Sequence, residues 1–315
     1  MKKTVLLIII IVLVSLITFG SCRQGPKGEG EIVIGLSVPS LSHPFFIYLT
    51  KNVMDEARKL GIEVIASDAG DVAARQMSII EDFIVKGVEG VLMSPIGADA
   101  LVPAVESLNQ AKIPVATVDR KVNGGDVLVH VGADNVEGGR VAARYLIEKL
   151  GEKGNIIELE GTPGASPAID RKKGFEEELA GSNIKILASQ TAEFQRAKGQ
   201  SVMENLMQAH GDFQGVYAAN DEMILGAIEA MEAHGISASG VVAVGYDAIP
   251  DALEYIKQGK LDATIEQFPG EQARKALRFL VENIRDGKLP PSNEVYIKPI
   301  AIDKSNLEQA EDKVR

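Results

Sequence analysis

Ten residues of this chain have side chains suited to gripping a small polar ring, and each stands at or just beyond the end of a short apolar run. His43, Phe45 and Phe46 follow the run at 32–38, and Asp119 and Arg120 close the run at 114–119. In the second half, Arg171 follows 155–161, Phe194 follows 184–190, Asn220 and Asp247 end the runs at 215–221 and 241–247, and Gln267 ends that at 263–268. A sugar presents many hydroxyls, each donor and acceptor, around a ring with apolar C–H faces. Carboxylates and carboxamides accept from such hydroxyls, guanidinium groups donate in a fixed fork, and phenyl rings stack on the C–H faces. Taken singly, each residue also reads as ordinary structure. Asn220 before DEMILGAIEA suits a helix N-cap, the Phe pair suits a core, and Arg171 suits a solvated helix face. The combination favours the binding reading, since Asp119-Arg120 and Asp247 both follow strongly apolar runs.

Reactive chemistry lacks its parts. Gly164-Ala165-Ser166-Pro167-Ala168 is one glycine short of a nucleophile elbow, and neither phosphate-binding glycine motif is present. His43, His130, His210 and His234 are scattered without metal-ligand spacing. Asp119 and Asp247 resemble a glycosidase acid and base only in type, because each adjoins groups suited to holding a sugar. The expectation is a non-enzymatic protein with no metal and no cofactor.

These residues need a scaffold, and the pattern from Glu31 onward supplies one. β-rich runs at 32–38, 63–68, 90–95, 114–119 and 127–134, then at 155–161, 184–190, 215–221, 241–247 and 263–268, alternate with amphipathic helical stretches. Helical examples are 46–61, 74–87, 136–151, 196–210 and 221–235, with apolar residues at three- and four-residue spacing and a glycine at each of the ends Gly61, Gly87, Gly151 and Gly235. Ten strands are many for one parallel sheet, and they divide five and five near Asp134. Two doubly wound α/β lobes are the economical arrangement. In such sheets a ligand sits beyond the carboxyl ends of the strands, where the ten residues lie.

The 33 basic and 44 acidic residues give a net charge of −11, which argues against a nucleic-acid partner. Lys2 and Lys3, the apolar stretch Val5 to Phe19, and Gly20-Ser21 before the single cysteine, Cys22, form the layout of an export signal. A cysteine after small residues resembles the bacterial lipobox, with Phe19 where that motif usually has Leu. The expectation is a signal peptide over 1–21, lipidation of Cys22, and a flexible tether over 22–30. The mature protein would then be an exported, membrane-anchored lipoprotein facing the periplasm or cell exterior.

The segments LSHPFF, TVDR, ADNVEGGR, LEGTPGASPAIDR, AEFQRAKG, NDEMILGA, VAVGYD and ATIEQF resemble, in order and spacing, those of the type I periplasmic binding proteins for sugars. The resemblance spans Glu31 to about Asp303. It implies two doubly wound parallel-sheet lobes joined by a three-segment hinge near Ala133-Asp134, Gln267-Phe268 and Lys298-Pro299. The N-terminal lobe would comprise 31–133 plus 268–296, and the C-terminal lobe 134–267 plus 297–315. It also implies ligand-binding roles for Phe45, Phe46, Asp119 and Arg120 from the first lobe and Arg171, Phe194, Asn220, Asp247 and Gln267 from the second. The implied protein is a monomeric sugar receptor for an ABC permease, with ribose the favoured monosaccharide and a chemoreceptor or sensor as a further candidate partner. The alternative is a lipoprotein presenting a sugar-like signal to a membrane receptor. A repressor of the same two-lobed architecture would need about sixty basic, helical residues before the first strand, where this chain has its leader. His43 departs from the family, which usually has Asn there. That leaves the sugar open among pentoses, hexoses such as allose, and polyols. A ligand contact by His43 in one protonation state predicts affinity changing near its ordinary pKa of about 6.5.

Overall fold

The computed structural model describes residues 32–237 and 240–312. The leader, Cys22 and the tether lie outside the described residues.

Short strands, most buried in the middle of their sheets, build the centre. Strands β1 (Val33–Val38), β2 (Glu63–Asp68), β3 (Gly90–Met93), β4 (Val115–Val118), β5 (Val129–Ala133) and β11 (Glu294–Ile297) form one sheet in the order β2-β1-β3-β4-β5-β11, with every neighbouring pair parallel. Strands β6 (Lys153–Glu160), β7 (Asn183–Thr191), β8 (Gly215–Ala218), β9 (Val242–Tyr246), β10 (Ala263–Glu266) and β12 (Ile300–Asp303) form the second, in the order β7-β6-β8-β9-β10-β12. Only β12 runs antiparallel, against β10. β3, β4, β8 and β10 are buried at every position, as parallel strands covered on both faces by helices must be.

The covering helices of the first sheet are α1 (Pro44–Leu60), α2 (Ala73–Lys86), α3 (Val102–Gln110) and α9 (Pro269–Asp286). Those of the second are α4 (Asn135–Leu150), α5 (Ser166–Leu179), α6 (Arg196–Ala209), α7 (Asp221–Ala233) and α8 (Pro250–Gln258). Helix α1 shows the local logic. His43 caps its start, Pro44 occupies the first turn where no donor is missed, and Gly61 closes it at φ 64, a left-handed cap favourable to glycine.

All ten strands expected from the sequence form, as does the two-lobed α/β class. β11 and β12 were not among the expectations. Both are four-residue edge strands with one buried residue each, so neither shows the apolar run that marks a covered strand, and Pro299 separates them. The chain passes between the sheets three times, at Asp134 after β5, at Gln267-Phe268 after β10, and at Lys298-Pro299 between β11 and β12. Among the described residues no helix is long and apolar enough to cross a membrane.

Candidate functional site

Folding brings all ten sequence-selected residues around one cavity, with about 250 Å³ of empty space, and adds Pro167 to its wall. The first lobe contributes through α1 and the end of β4, and the second through α5, the ends of β8, β9 and β10, and the loop after β7. Pro167 stands inside the GASPAIDR segment, but apolar residues in a helix's first turn carry no signal distinguishing wall from core.

The apolar faces come from three phenylalanines. Phe45 and Phe46 meet edge to face, with centroids 5.1 Å apart and planes at 85°. The Arg120 guanidinium lies 5.3 Å from the Phe46 ring and 5.5 Å from the Phe194 ring. Gly161 makes room for Phe194, because a Cβ there would stand 2.1 Å from the ring's Cζ.

The polar groups are set by neighbours that sequence analysis passed over. Ser94 Oγ donates to Asp119 Oδ2 at 3.2 Å. Arg171 Nε donates to Asn135 Oδ1 at 2.8 Å and Nη1 to the Ala219 carbonyl at 2.6 Å. Its guanidinium covers the Tyr246 ring at 3.6 Å and approaches Asp247 Oδ1 to 3.5 Å. Gln267 Nε2 donates to that same Oδ1 at 2.6 Å. Asn220 does cap α7, its Oδ1 accepting from the Met223 N–H at 3.0 Å, and it also reaches the cavity. The capping and site readings are thus compatible. Two buried polar atoms of the wall, Arg120 Nε and Gln267 Oε1, have no hydrogen-bond partner. Orphans of that kind are costly in a native interior.

Backbone strain gathers at the same place. Asp119, Phe194 and Asp247 have φ of 64°, 62° and 116°, a region that costs side-chain-bearing residues on the order of 1–3 kcal/mol each and clusters at functional sites. Asp221 steadies the loop holding Asp247. Its carboxylate accepts from Thr264 Oγ1 at 2.7 Å and the Ile249 N–H at 3.0 Å.

The electrostatics follow from dryness. Burial raises Asp247 to about 7 despite the pull of Arg171, with Asp119 adding to the rise. Burial likewise holds Asp119 above the usual carboxylate range, against Arg120 and Arg171. His43 goes the other way. Burial, then the Arg120 charge, lower its imidazole to about 4. This corrects the sequence-based expectation of a titration near 6.5. The ring stays neutral across the physiological range because desolvation and nearby guanidinium groups both oppose a second proton.

The lobes touch across the cleft mouth. His43 Nε2 lies 3.0 Å from Asn220 Nδ2, the Lys121 N–H donates to Ser166 Oγ at 2.8 Å, and the Ala98 N–H to the Gly164 carbonyl at 3.0 Å. Among the described residues no group of three or more His, Cys, Asp or Glu side chains is arranged to hold a metal ion. The arrangement suits the binding of a small polar ring between the two lobes.

Comparison with known proteins agrees. Residues 34–289 match the family model described as a periplasmic binding protein domain. The ribose import binding protein of Bacillus subtilis is 40% identical over 297 residues, 91% of this chain and 95% of that one. Its counterpart in Salmonella typhimurium is 38% identical over 278 residues, 88% and 93% of the two chains. Among solved structures, the Caulobacter myo-inositol binding protein bound to myo-inositol superposes with a TM-score of 0.86 at 35% identity, covering 90% of this chain and 97% of that one. An Actinobacillus succinogenes transporter protein with bound D-allose gives 0.82 at 32%, covering 87% and 98%. The two-lobed fold, the shared length and the cleft between the sheets place this chain in the periplasmic binding protein family, as a type I sugar-binding protein that acts in transport without catalysing a reaction.

Proposed function

We propose that this protein captures ribose, or a closely related monosaccharide or polyol, between its lobes and hands it to an ABC permease. The observation carrying this reading is the convergence of three phenyl rings, two arginines, two aspartates, two carboxamides and an imidazole from both lobes on one small cavity. Only a ligand contacting both lobes favours the closed form, because a ligand shifts an equilibrium solely by its differential affinity for the two states. The three crossings at Asp134, Gln267-Phe268 and Lys298-Pro299 would serve as the hinge, with lobes of 31–133 plus 268–296 and 134–267 plus 297–315. His43, Phe45, Phe46, Asp119, Arg120, Arg171, Phe194, Asn220, Asp247 and Gln267 would contact the sugar. Ribose is favoured by the two ribose import proteins at 38–40% identity, while the inositol- and allose-bound structures keep larger rings and polyols in contention.

Cleavage after Ser21 and lipidation of Cys22 would tether the protein to the membrane outside the cytoplasm. Mass spectrometry of the membrane-extracted protein should find a diacylglyceryl-modified Cys22 at the new N-terminus, and an intact leader would reject the tether. Ligand identity is tested by thermal shift of residues 23–315 against ribose and a panel of pentoses, hexoses and polyols. A ligand at about a hundred times its Kd adds roughly 2.7 kcal/mol. A rise with ribose alone supports ribose uptake, and a rise with another sugar reassigns the ligand. A flat panel would overturn the sugar reading.

A further inference from the structure

Gln76 is a polar residue in an apolar place. Helix α2 turns Gln76, Ile80 and Phe83 into the interior of the first lobe, a stripe at four- and three-residue spacing where apolar side chains are the rule. A buried carboxamide has to place its acceptor and both its hydrogens, and this one does. Oε1 accepts from the Ile96 N–H at 2.9 Å, and Nε2 donates to the Ser94 carbonyl at 2.9 Å and to Ser37 Oγ at 3.1 Å. Gln76 itself does not line the cavity.

The pattern copies a neighbouring strand. Bonding the carbonyl before Pro95 and the N–H after it is what a parallel partner would do, so the side chain carries the pairing of β3 past its end at Met93. The groups of this segment that Gln76 leaves unused hold the first-lobe charges of the cavity. Ser94 Oγ donates to Asp119 Oδ2 at 3.2 Å, and the Ile96 carbonyl accepts from Arg120 Nη1 at 3.3 Å. Those two residues need holding. Asp119 has φ 64, and the Arg120 N–H folds back onto the Val118 carbonyl at 2.7 Å, a tight three-residue turn of the strained kind.

Resting on the sugar-binding reading above, we infer that Gln76 is a positioning residue for ligand capture: its carboxamide fixes Ser94 and Ile96, and through them sets Asp119 and Arg120 together. One side chain holds the partners of both charges, so its loss releases both at once. Methionine has similar size and flexibility but offers neither bond. It would leave the Ile96 N–H and the Ser94 carbonyl without their partner, and the segment would shift to satisfy them. Asp119 and Arg120 would then meet a ligand from displaced positions, and hydrogen bonds weaken steeply with misalignment. A purely structural role predicts something else: lower stability, with the same share of affinity lost whatever other residue of the site is changed.

The test is a pair of double-mutant cycles read by isothermal titration. D-ribose, D-allose and myo-inositol are titrated into wild type, and the one bound most tightly becomes the probe. It is then titrated into Gln76→Met, Asp119→Asn, Asp247→Asn and the doubles that pair Gln76→Met with each aspartate variant. Gln76→Met should raise Kd on the order of 10-fold while keeping a cooperative melt. Asp119→Asn should cost at least about threefold less in the Met background than in wild type, because that carboxylate is already displaced there. Asp247, held by Gln267 and Arg171 in the other lobe, shares no hydrogen-bond partner with Gln76, and its substitution should cost the same in both backgrounds. Should the Met variant fold poorly, Gln76→Glu, which matches the native shape and keeps an acceptor for Ile96, enters the same cycles. Wild-type affinity in the Gln76 variant, or equal additivity with both aspartate variants, would overturn the positioning role alone. A wild type that binds none of the three probes and no other sugar would overturn the sugar-binding reading, and the positioning role with it.

Discussion

Replacing Asp247 by Asn tests the polar side of the cleft with least change of shape. The residue follows β9 at φ 116, and Asn is among the side chains that best tolerate positive φ. The two side chains match in size, so no cavity opens. In the structure the carboxylate is only 6% exposed, accepts from Gln267 at 2.6 Å and lies 3.5 Å from Arg171. Its charge is already disfavoured there, as the rise to about 7 shows. Removing it takes a partner from Arg171 and also removes a buried charge. Arg171 keeps Asn135, the Ala219 carbonyl and the face of Tyr246. The two effects oppose each other, and unliganded stability should move by about 1 kcal/mol or less. Binding has no such offset. A hydrogen bond to a charged acceptor contributes about 1.5–3 kcal/mol, and one to a neutral acceptor about 0.5–1.5. Two sugar hydroxyls donating to Asp247 would then lose about 2–3 kcal/mol in the variant, on the order of 30- to 150-fold in Kd. Isothermal titration with the sugar found by thermal shift, alongside the melting curve of the empty protein, measures both quantities. A variant that binds within about threefold of wild type and melts normally would refute the assignment of Asp247 to the ligand.

Two further predictions concern shape and pH. Gly161→Ala would put a Cβ 2.1 Å from Phe194, displacing that ring, and should weaken sugar binding by at least about tenfold, more than it lowers stability, given the burial each ring contributes; unchanged affinity by titration would remove Phe194 from the ligand's surroundings. His130, buried on β5 beside Thr117 Oγ1 at 3.0 Å, is lowered by burial from 6.5 to about 3. Its neutral form belongs to the fold and its charged form to the unfolded chain. The stability it contributes is therefore complete above pH 6.5 and lost as pH falls toward 3, with a ceiling of about 5 kcal/mol. Glu266, raised by burial to about 7, acts oppositely, since the stability from its retained proton is complete below about 4.5 and lost as pH rises through 7. Urea denaturation of wild type and His130→Gln from pH 7 to 4 separates the two, and equal acid losses in both proteins would count against a neutral His130.

Much of the scaffold is legible in local composition. The runs that became β1 and β3 to β5 are apolar because they are covered on both faces, and the helix ending at Gly61 announces itself by a left-handed cap that glycine adopts without strain. The edge strands β11 and β12 were not legible, since their partners, β5 and β10, lie far away in sequence and leave them half exposed. At the site, residue type and strand-end position select ten of the eleven residues that line the cavity. They did not reveal Pro167, the strained backbone of Asp119, Phe194 and Asp247, or the supports from Ser94, Asn135 and Asp221.

By itself, then, the sequence determined which elements form and which polar groups stand at strand ends, because periodicity and residue chemistry are properties of neighbouring residues. Only tertiary structure decided what each group faces. His43 reads from sequence as a histidine titrating near 6.5. In the fold, a dry cleft and Arg120 carry it to about 4, and Asn220 arrives from the other lobe within 3.0 Å of its Nε2. Desolvation and hydrogen-bond complementarity depend on atoms brought together from distant parts of the chain, so they exist only once the lobes have folded and met.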